Sequence, residues 1–205
     1  NVSDFIITDK ADGIRALLYV EDGKVNIITE KSIIEPTGSI SCPKIRRLEN
    51  LLIDGEYIKE LQLFLPFDIL IALGLVVAHR DYFFRLQVLS MIITYVYDNP
   101  IIVPPNFQGD DQIDFVVNAL RKSTPLGKKP ILNDISAESA KHIDLKRASK
   151  ENIMTILMKK FYIPKTKADF FKTINMILTE PDTYPSDHGV IISSIRNDYW
   201  KDRQN

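Results

Sequence analysis

The chain has 205 residues, a formal net charge of −1, and ordinary fractions of apolar (45%) and charged (26%) residues. This length allows one domain with a sizeable core, and the near-neutral charge excludes a globally basic nucleic-acid coat. One cysteine, Cys42, excludes an internal disulfide and fits an intracellular, reducing compartment. A single cysteine and only three histidines also argue against a zinc cluster.

Charge is nevertheless unevenly distributed along the chain. Residues 121–172 contain 13 Lys and Arg against 5 Asp and Glu, a local excess of eight positive charges. A solvated helical face explains such a segment, and a weak surface for phosphate backbone is the alternative.

The predicted elements begin with strands. Residues 14–21 and 25–29 are β-favouring runs joined by an Asp-Gly pair, which indicates a hairpin. Residues 51–58 and 61–72 predict two more strands, the second of them buried on both sides. The apolar stretch 61–78 is interrupted by polar residues, proline and glycine, so we interpret it as a buried strand and turn rather than a membrane span.

Helices are predicted in the second half of the chain. Residues 79–97 carry apolar side chains at helical spacing before an Asn-Pro pair, and residues 111–122, 149–161 and 168–178 predict further helices. Residues 189–195 predict a final strand. Strands first, helices next and one late strand indicate an α+β domain of mainly antiparallel sheets flanked by helices.

The hexapeptide KADGIR, residues 10–15, is expected in a loop before the first predicted strand. A lysine amine is a poor nucleophile at its ordinary pKa of about 10.4, but neighbouring cations or burial lower that pKa. Arg15 and a divalent metal on bound phosphates would act in that direction, and Gly13 permits a turn that a side chain would block. A solvated turn is the alternative interpretation.

Three further polar sites interrupt predicted strands. In the tripeptide DGE, residues 54–56, Glu56 could reach a ribose hydroxyl or a hydrated Mg²⁺, although a plain turn is also possible. Asp68 requires a partner because an unpaired buried charge is costly, and its neighbour Phe67 is either core or a platform for a base. The run DHGVII, residues 187–192, is a polar turn that opens the last strand.

In their order these four sites resemble the motifs of the covalent nucleotidyltransferase superfamily. That superfamily comprises the mRNA-capping guanylyltransferases and the ATP- or NAD-dependent polynucleotide ligases, and the resemblance runs from Lys10 to Ile192. The run FDIL at residues 67–70, followed by GLVV and then Arg85-Leu86, is most similar to capping enzymes. The loops resemble those of capping enzymes from large cytoplasmic DNA viruses, asfarvirus-like or poxvirus-like.

The resemblance implies a nucleotidyltransferase domain over residues 1–205 with an ATP-grasp-like fold, without the C-terminal OB-fold domain that normally follows. The chain begins at Asn1 rather than methionine, so we interpret it as a piece of a longer chain that also carries a triphosphatase and a methyltransferase. The implied partners are GTP and the RNA 5′ end, with Mg²⁺ or Mn²⁺ as cofactor and no membrane. The implied location is the host cytoplasm, in viral factories, or the virion.

The resemblance also assigns roles to single residues. Lys10 would attack the α-phosphate of GTP and expel pyrophosphate, and Arg15 would contact the ribose or that phosphate. Glu56 would bind the ribose or the metal, and Phe67 would stack on guanine. The implied nucleotide-binding set is Lys10, Asp12, Gly13, Arg15, Lys31, Glu56, Phe67, Asp187 and Lys201, with Glu56 and Asp187 as metal ligands.

Two positions depart from the family pattern and leave alternatives open. His188 stands before the glycine where the family has an acid, and Asp187 lies one residue earlier. The last family motif has two lysines, whereas the run ending at Lys201 supplies one. The alternatives are the adenylylation domain of an ATP-dependent polynucleotide ligase, and a catalytically silent module that binds nucleotide, RNA or a sister domain.

Overall fold

Two β-sheets organise the part of the chain that the structure, a computed structural model, describes: residues 1–97, 118, 144–179 and 184–200. The strands are β1 (Phe5–Ala11), β2 (Ile14–Glu21), β3 (Lys24–Thr29), β4 (Ile33–Ile34), β5 (Ser39–Ile40), β6 (Leu51–Ile58), β7 (Leu63–Ala72), β8 (Leu75–Val76), β9 (Ile153–Ile156) and β10 (Ser186–Ser194). The helices are α1 (Tyr82–Val96), α2 (Leu145–Lys150) and α3 (Lys167–Thr179).

The larger sheet has the strand order β4-β3-β2-β6-β7-β9-β5, with β8 paired to β7. Its pairs from β4 to β7 are antiparallel, whereas β9 runs parallel to both β7 and β5. The smaller sheet is the antiparallel pair β1 and β10, which joins the two ends of the chain. The α+β class and the mainly antiparallel pairing predicted from the sequence are therefore confirmed, and the ATP-grasp-like assignment stays a prediction.

Local chemistry explains why these elements form where they do. Asp22 and Gly23 both have positive φ, 50° and 69°, which is the conformation that a tight two-residue hairpin requires. Helix α1 begins after Asp81, whose carboxylate accepts the backbone N–H of Phe84 at 2.8 Å. Almost every side chain of α1 is buried, and the helix packs on β7 within the main apolar core.

The prediction of a helix over residues 149–161 is wrong. Helix α2 ends at Lys150, Asn152 adopts the left-handed conformation with φ 56°, and the chain continues as β9. The run IMTI is rich in β-branched side chains, and its backbone pairs with β7 and β5, which lie far away in sequence. The helix predicted over residues 111–122 lies outside the described residues.

The prediction of a loop around Lys10 is also wrong. Lys10 lies within β1, because β10 returns from the other end of the chain to pair with it. The strand predicted over residues 189–195 is confirmed as β10, although it starts earlier, at Ser186. Among the described residues, no helix combines the length and apolar character needed to cross a membrane.

Candidate active site

A cavity of about 270 Å³ lies between the two sheets. The smaller sheet contributes β1 and β10 side chains such as Thr8 and Ser193, and the larger sheet contributes Arg15, Asp54 and Phe67. The wall is completed by Ile6, Asp68, Tyr82, Lys159, Ile191 and Tyr199. Residues from the beginning, middle and end of the chain therefore meet at one cleft. We call it the inner cavity.

Lys10 lies on β1, two residues beyond Thr8, which lines the inner cavity. Successive side chains of a strand alternate between its faces, so Lys10 projects from the same face of β1 as the cavity residue Thr8. The register shifts between Asp9 and Ala11, so the backbone of residues 187–189 bulges opposite Lys10. Such bulges re-aim a neighbouring side chain, and the exposed Lys10 lies across Gly189.

Glu56 is brought to the same place by pairing between β2 and β6. Its Oε1 accepts the backbone N–H of Gly13 at 3.1 Å. A β-carbon at position 13 would lie 2.9 Å from Glu56 Cγ, so only glycine permits this close approach. Partial burial raises the pKa of Glu56, and attraction to Lys159 and Lys10 opposes that rise. The structure therefore brings the predicted residues Lys10, Gly13 and Glu56 together.

Arg15 belongs to a hydrogen-bonded network that separates the inner cavity from a larger groove. Its Nε and one terminal nitrogen donate to the two carboxylate oxygens of Asp54 at 3.1 and 2.5 Å. Asp54 is fully buried and also accepts the hydroxyl of Tyr199 at 2.8 Å. Burial raises the pKa of Asp54, while Arg15 and Tyr199 oppose the rise. The Arg15 guanidinium also lies 5.7 Å from the centre of the Phe67 ring.

The partner that the sequence required for Asp68 is Arg85 of α1. The guanidinium donates to both carboxylate oxygens, at 2.7 and 2.8 Å, in a bidentate pair. Arg85 is fully buried, and its remaining terminal nitrogen donates to the backbone carbonyls of Arg80 and Asn197. This pair fixes the floor of the inner cavity beside Phe67, which is half-buried and lines that cavity.

Lys159 is a site residue that sequence reasoning missed. Its side chain is fully buried, and its Nζ donates to the backbone carbonyl of Asp9 at 2.6 Å. Burial lowers the pKa of Lys159, whereas Asp9 and Glu56 oppose this change. The missed signal was a lysine that ends an apolar run of strand-forming residues. Tyr199 was missed as well, because its importance depends on contacts with Asp54 and not on its neighbours in sequence.

Other predicted site residues lie elsewhere. Lys31 follows β3 and lines the larger groove rather than the inner cavity. Asp12 is exposed, and its backbone N–H donates to the carbonyl of Pro185 at 3.0 Å. The backbone of Asp187 lies in β10, but its side chain and that of His188 are outside the description, as is the whole of Lys201.

Metal binding would depend on few protein ligands. Among the side chains that the structure describes, no group of three or more His, Cys, Asp or Glu could hold a metal ion. Glu56 is a carboxylate close enough to Lys10 for their charges to attract. Mg²⁺ in nucleotide sites takes one or two carboxylates and completes its shell with water and phosphate oxygens, so Glu56 fits a metal delivered with a nucleotide.

Comparison with known proteins gives a partial similarity. No protein-family profile matches the chain. Over 86 residues it is 28% identical to the mRNA-capping enzymes of the Pretoriuskop and Warthog/Namibia isolates of African swine fever virus, and 27% identical to that of the Badajoz strain. Each match covers 42% of this chain but 9% of the viral protein. The predicted resemblance to viral capping enzymes is thereby confirmed.

Proposed function

We propose that the chain is a guanylyltransferase that forms a covalent lysyl-GMP from GTP through Lys10 and passes the GMP to the 5′-diphosphate end of RNA. The observation that carries this proposal is the convergence of Lys10, Gly13 and Glu56, which lie on or beside strands that line the inner cavity. These residues come from two motifs separated by about forty positions in the sequence. The similarity to viral mRNA-capping enzymes supports the same class of reaction.

In the first step the neutral amine of Lys10 attacks the α-phosphorus of GTP. The N–P bond forms, the bond from phosphorus to the bridging oxygen breaks, pyrophosphate leaves, and the nitrogen releases its proton to solvent. In the second step a terminal phosphate oxygen of the RNA attacks the same phosphorus. The N–P bond then breaks, and Lys10 takes up a proton as it leaves.

Positive charge around the α-phosphate would favour both steps. The pentavalent phosphorus centre gathers negative charge, so a fixed cation stabilises it more than it stabilises bound GTP. Arg15, held by Asp54, and Lys159, held by Asp9, supply such cations on two sides of the inner cavity. A bound Mg²⁺ or Mn²⁺, held by Glu56 with Asp187, would neutralise the phosphate oxygens further.

The inner cavity also suggests how the base is bound. Phe67 presents a half-buried ring on which a purine could stack. The choice of guanine over adenine depends on donors and acceptors at the base edge, since guanine offers O6 and N7 as acceptors and adenine places an amino donor at the position of O6. The labelling test below distinguishes GTP from the ATP that a ligase would use.

The test is covalent labelling of the chain with α-³²P GTP and, separately, α-³²P ATP in the presence of Mg²⁺, followed by denaturing electrophoresis. We expect an acid-labile, GTP-dependent band that Lys10→Ala abolishes and the exposed control Lys24→Ala retains. Because Lys10 is exposed, its truncation should leave the thermal unfolding midpoint unchanged. An ATP-dependent band would indicate a ligase, and reversible nucleotide binding without any band would indicate a silent module.

A further inference from the structure

A groove of about 690 Å³ adjoins the inner cavity. It shares Arg15, Asp54 and Tyr199 with that cavity, so the two spaces meet at this network. Its remaining walls come from the start of β2, the end of β3 with the turn after it, Ile34 of β4, and Lys59 just after β6. We call it the outer groove. A ligand in the outer groove would therefore lie against the nucleotide site without occupying it.

Charges along the outer groove favour an anion. Lys31, Lys59 and Arg15 line it together with the acids Glu30 and Asp54. Arg15 and the fully buried Asp54 form an ion pair, so their charges offset each other. Lys31 and Lys59 against Glu30 leave an excess of one positive charge. The two exposed lysines stand on separate elements. They could contact successive groups of an extended anion.

The groove also carries apolar and aromatic surface. Ile14 is 48% exposed at its wall, and Trp200, which is 60% exposed, follows the lining residue Tyr199 in the chain. The Trp200 ring packs edge-to-face on Tyr199 with ring centres 5.2 Å apart. Single-stranded nucleic acids are bound by this combination, in which cations track the phosphates and aromatic rings stack on the bases. A compact inorganic anion would not use the apolar part.

We infer that the outer groove binds the first nucleotides of the acceptor RNA, with the 5′-diphosphate directed past Arg15 toward Lys10. The inference rests on the proposed function and adds to it the place of the second substrate. The groove's volume is within the range of about 300–1,000 Å³ that ligand sites commonly have. The lining residues Ile14 and Arg15 directly follow Gly13, which bonds to Glu56 near Lys10. In this proposal the attacking phosphate oxygen approaches the lysyl-GMP from this side.

The test separates RNA binding from lysyl-GMP formation in Lys59→Glu, with Lys24→Glu as the matched control. Lys24 is exposed at the far end of β3, about 16 Å along the strand from Thr29. Adduct formation is measured with GTP alone, and binding of a 3′-fluorescent 5′-diphosphate RNA decamer is measured by anisotropy at several salt concentrations. Single-turnover transfer from the preformed adduct is then followed against RNA concentration.

We expect Lys59→Glu to form the adduct at the wild-type rate, but to need about tenfold more RNA for both binding and half-maximal transfer. Its binding should also depend less steeply on salt, because one phosphate contact is lost. Lys24→Glu should match the wild type, and Trp200→Ala should weaken RNA binding about fivefold without a change in the salt dependence.

Unchanged RNA binding and transfer in Lys59→Glu would overturn the inference. So would slower adduct formation with unchanged RNA binding, because the groove would then belong to the nucleotide site. If the wild type forms no adduct, the proposed guanylyltransferase fails by itself. The anisotropy measurement still tests RNA binding in the outer groove in that case. A loss of RNA affinity in Lys59→Glu but not in Lys24→Glu supports RNA binding there, and equal affinity in both variants rejects it.

Discussion

Lys10 lies directly over Gly189, so that a β-carbon at position 189 would stand 3.3 Å from Lys10 Cδ and 3.4 Å from its Cβ. Gly189 belongs to β10, which pairs with β1, the strand that carries Lys10. Contacts this short force one neighbour to move by a few tenths of an ångström, and the flexible lysine moves more easily than the sheet. The absence of a side chain at Gly189 therefore leaves room for the Lys10 side chain to lie across β10.

Gly189→Ala should displace the Lys10 amine and slow lysyl-GMP formation roughly fivefold, because small misplacements of reacting groups are costly in rate. The free energy of unfolding should change little, since the lysine side chain can shift. The measurement is the single-turnover labelling rate at saturating GTP, with urea denaturation in parallel. Ser194→Ala, at a β10 position that is not among the residues lining the inner cavity, is the control. A labelling rate unchanged in Gly189→Ala would show that Lys10 is not the reacting group or is not positioned by this contact.

The sequence predicted most of the larger sheet because its signals are local. The hairpin at Asp22 and Gly23, the strands β6 and β7, and the helix α1 each follow from alternation, turn residues or helical spacing. The requirement that Asp68 have a partner was also visible, since burial of a lone carboxylate is costly whatever the fold. Identifying Arg85 as that partner required the packing of α1 on β7.

Elements whose partners are distant in sequence could not be predicted in this way. Strand β1 is paired with β10, and β9 is paired with β5 and β7. The local sequence pattern of β1 or of β9 therefore does not explain why that segment forms a strand. The same reason hides Lys159, which reaches Asp9 across about 150 residues of sequence. The order of the motifs predicted Lys10 and Glu56 as site residues. Lys159 and Tyr199 could not be predicted in this way, because their contacts form only when distant segments pack together.

Removal of Arg85 should destabilise the chain strongly. Arg85→Met leaves the carboxylate of Asp68 buried without its bidentate partner, and breaking such a pair costs about 3–5 kcal/mol. The double variant Arg85→Met with Asp68→Asn removes the charge and should recover part of that loss. Urea denaturation of the wild type and both variants measures the difference. A single variant within about 1 kcal/mol of the wild type would mean that this pair is not buried in solution.

Burial of Lys159 predicts a specific dependence of stability on pH. Its pKa is lowered in the folded chain, whereas an unfolded lysine has a pKa of about 10.4. Between these two values the unfolded chain binds a proton that the folded chain has released. The contribution of Lys159 to the free energy of unfolding therefore rises with pH in that window.

Lys159→Met removes this contribution, so its free energy of unfolding should increase less, or decrease more, than that of the wild type as the pH rises toward the unfolded pKa of about 10.4. Methionine keeps most of the side-chain volume and removes a cation whose burial is costly, so the variant should fold. The measurement is urea denaturation at several pH values below that unfolded pKa. Lys160→Met, at the exposed neighbouring position, is the matched control and should keep the wild-type dependence. Parallel pH curves for the wild type and Lys159→Met would show that burial does not lower the pKa of Lys159 in solution.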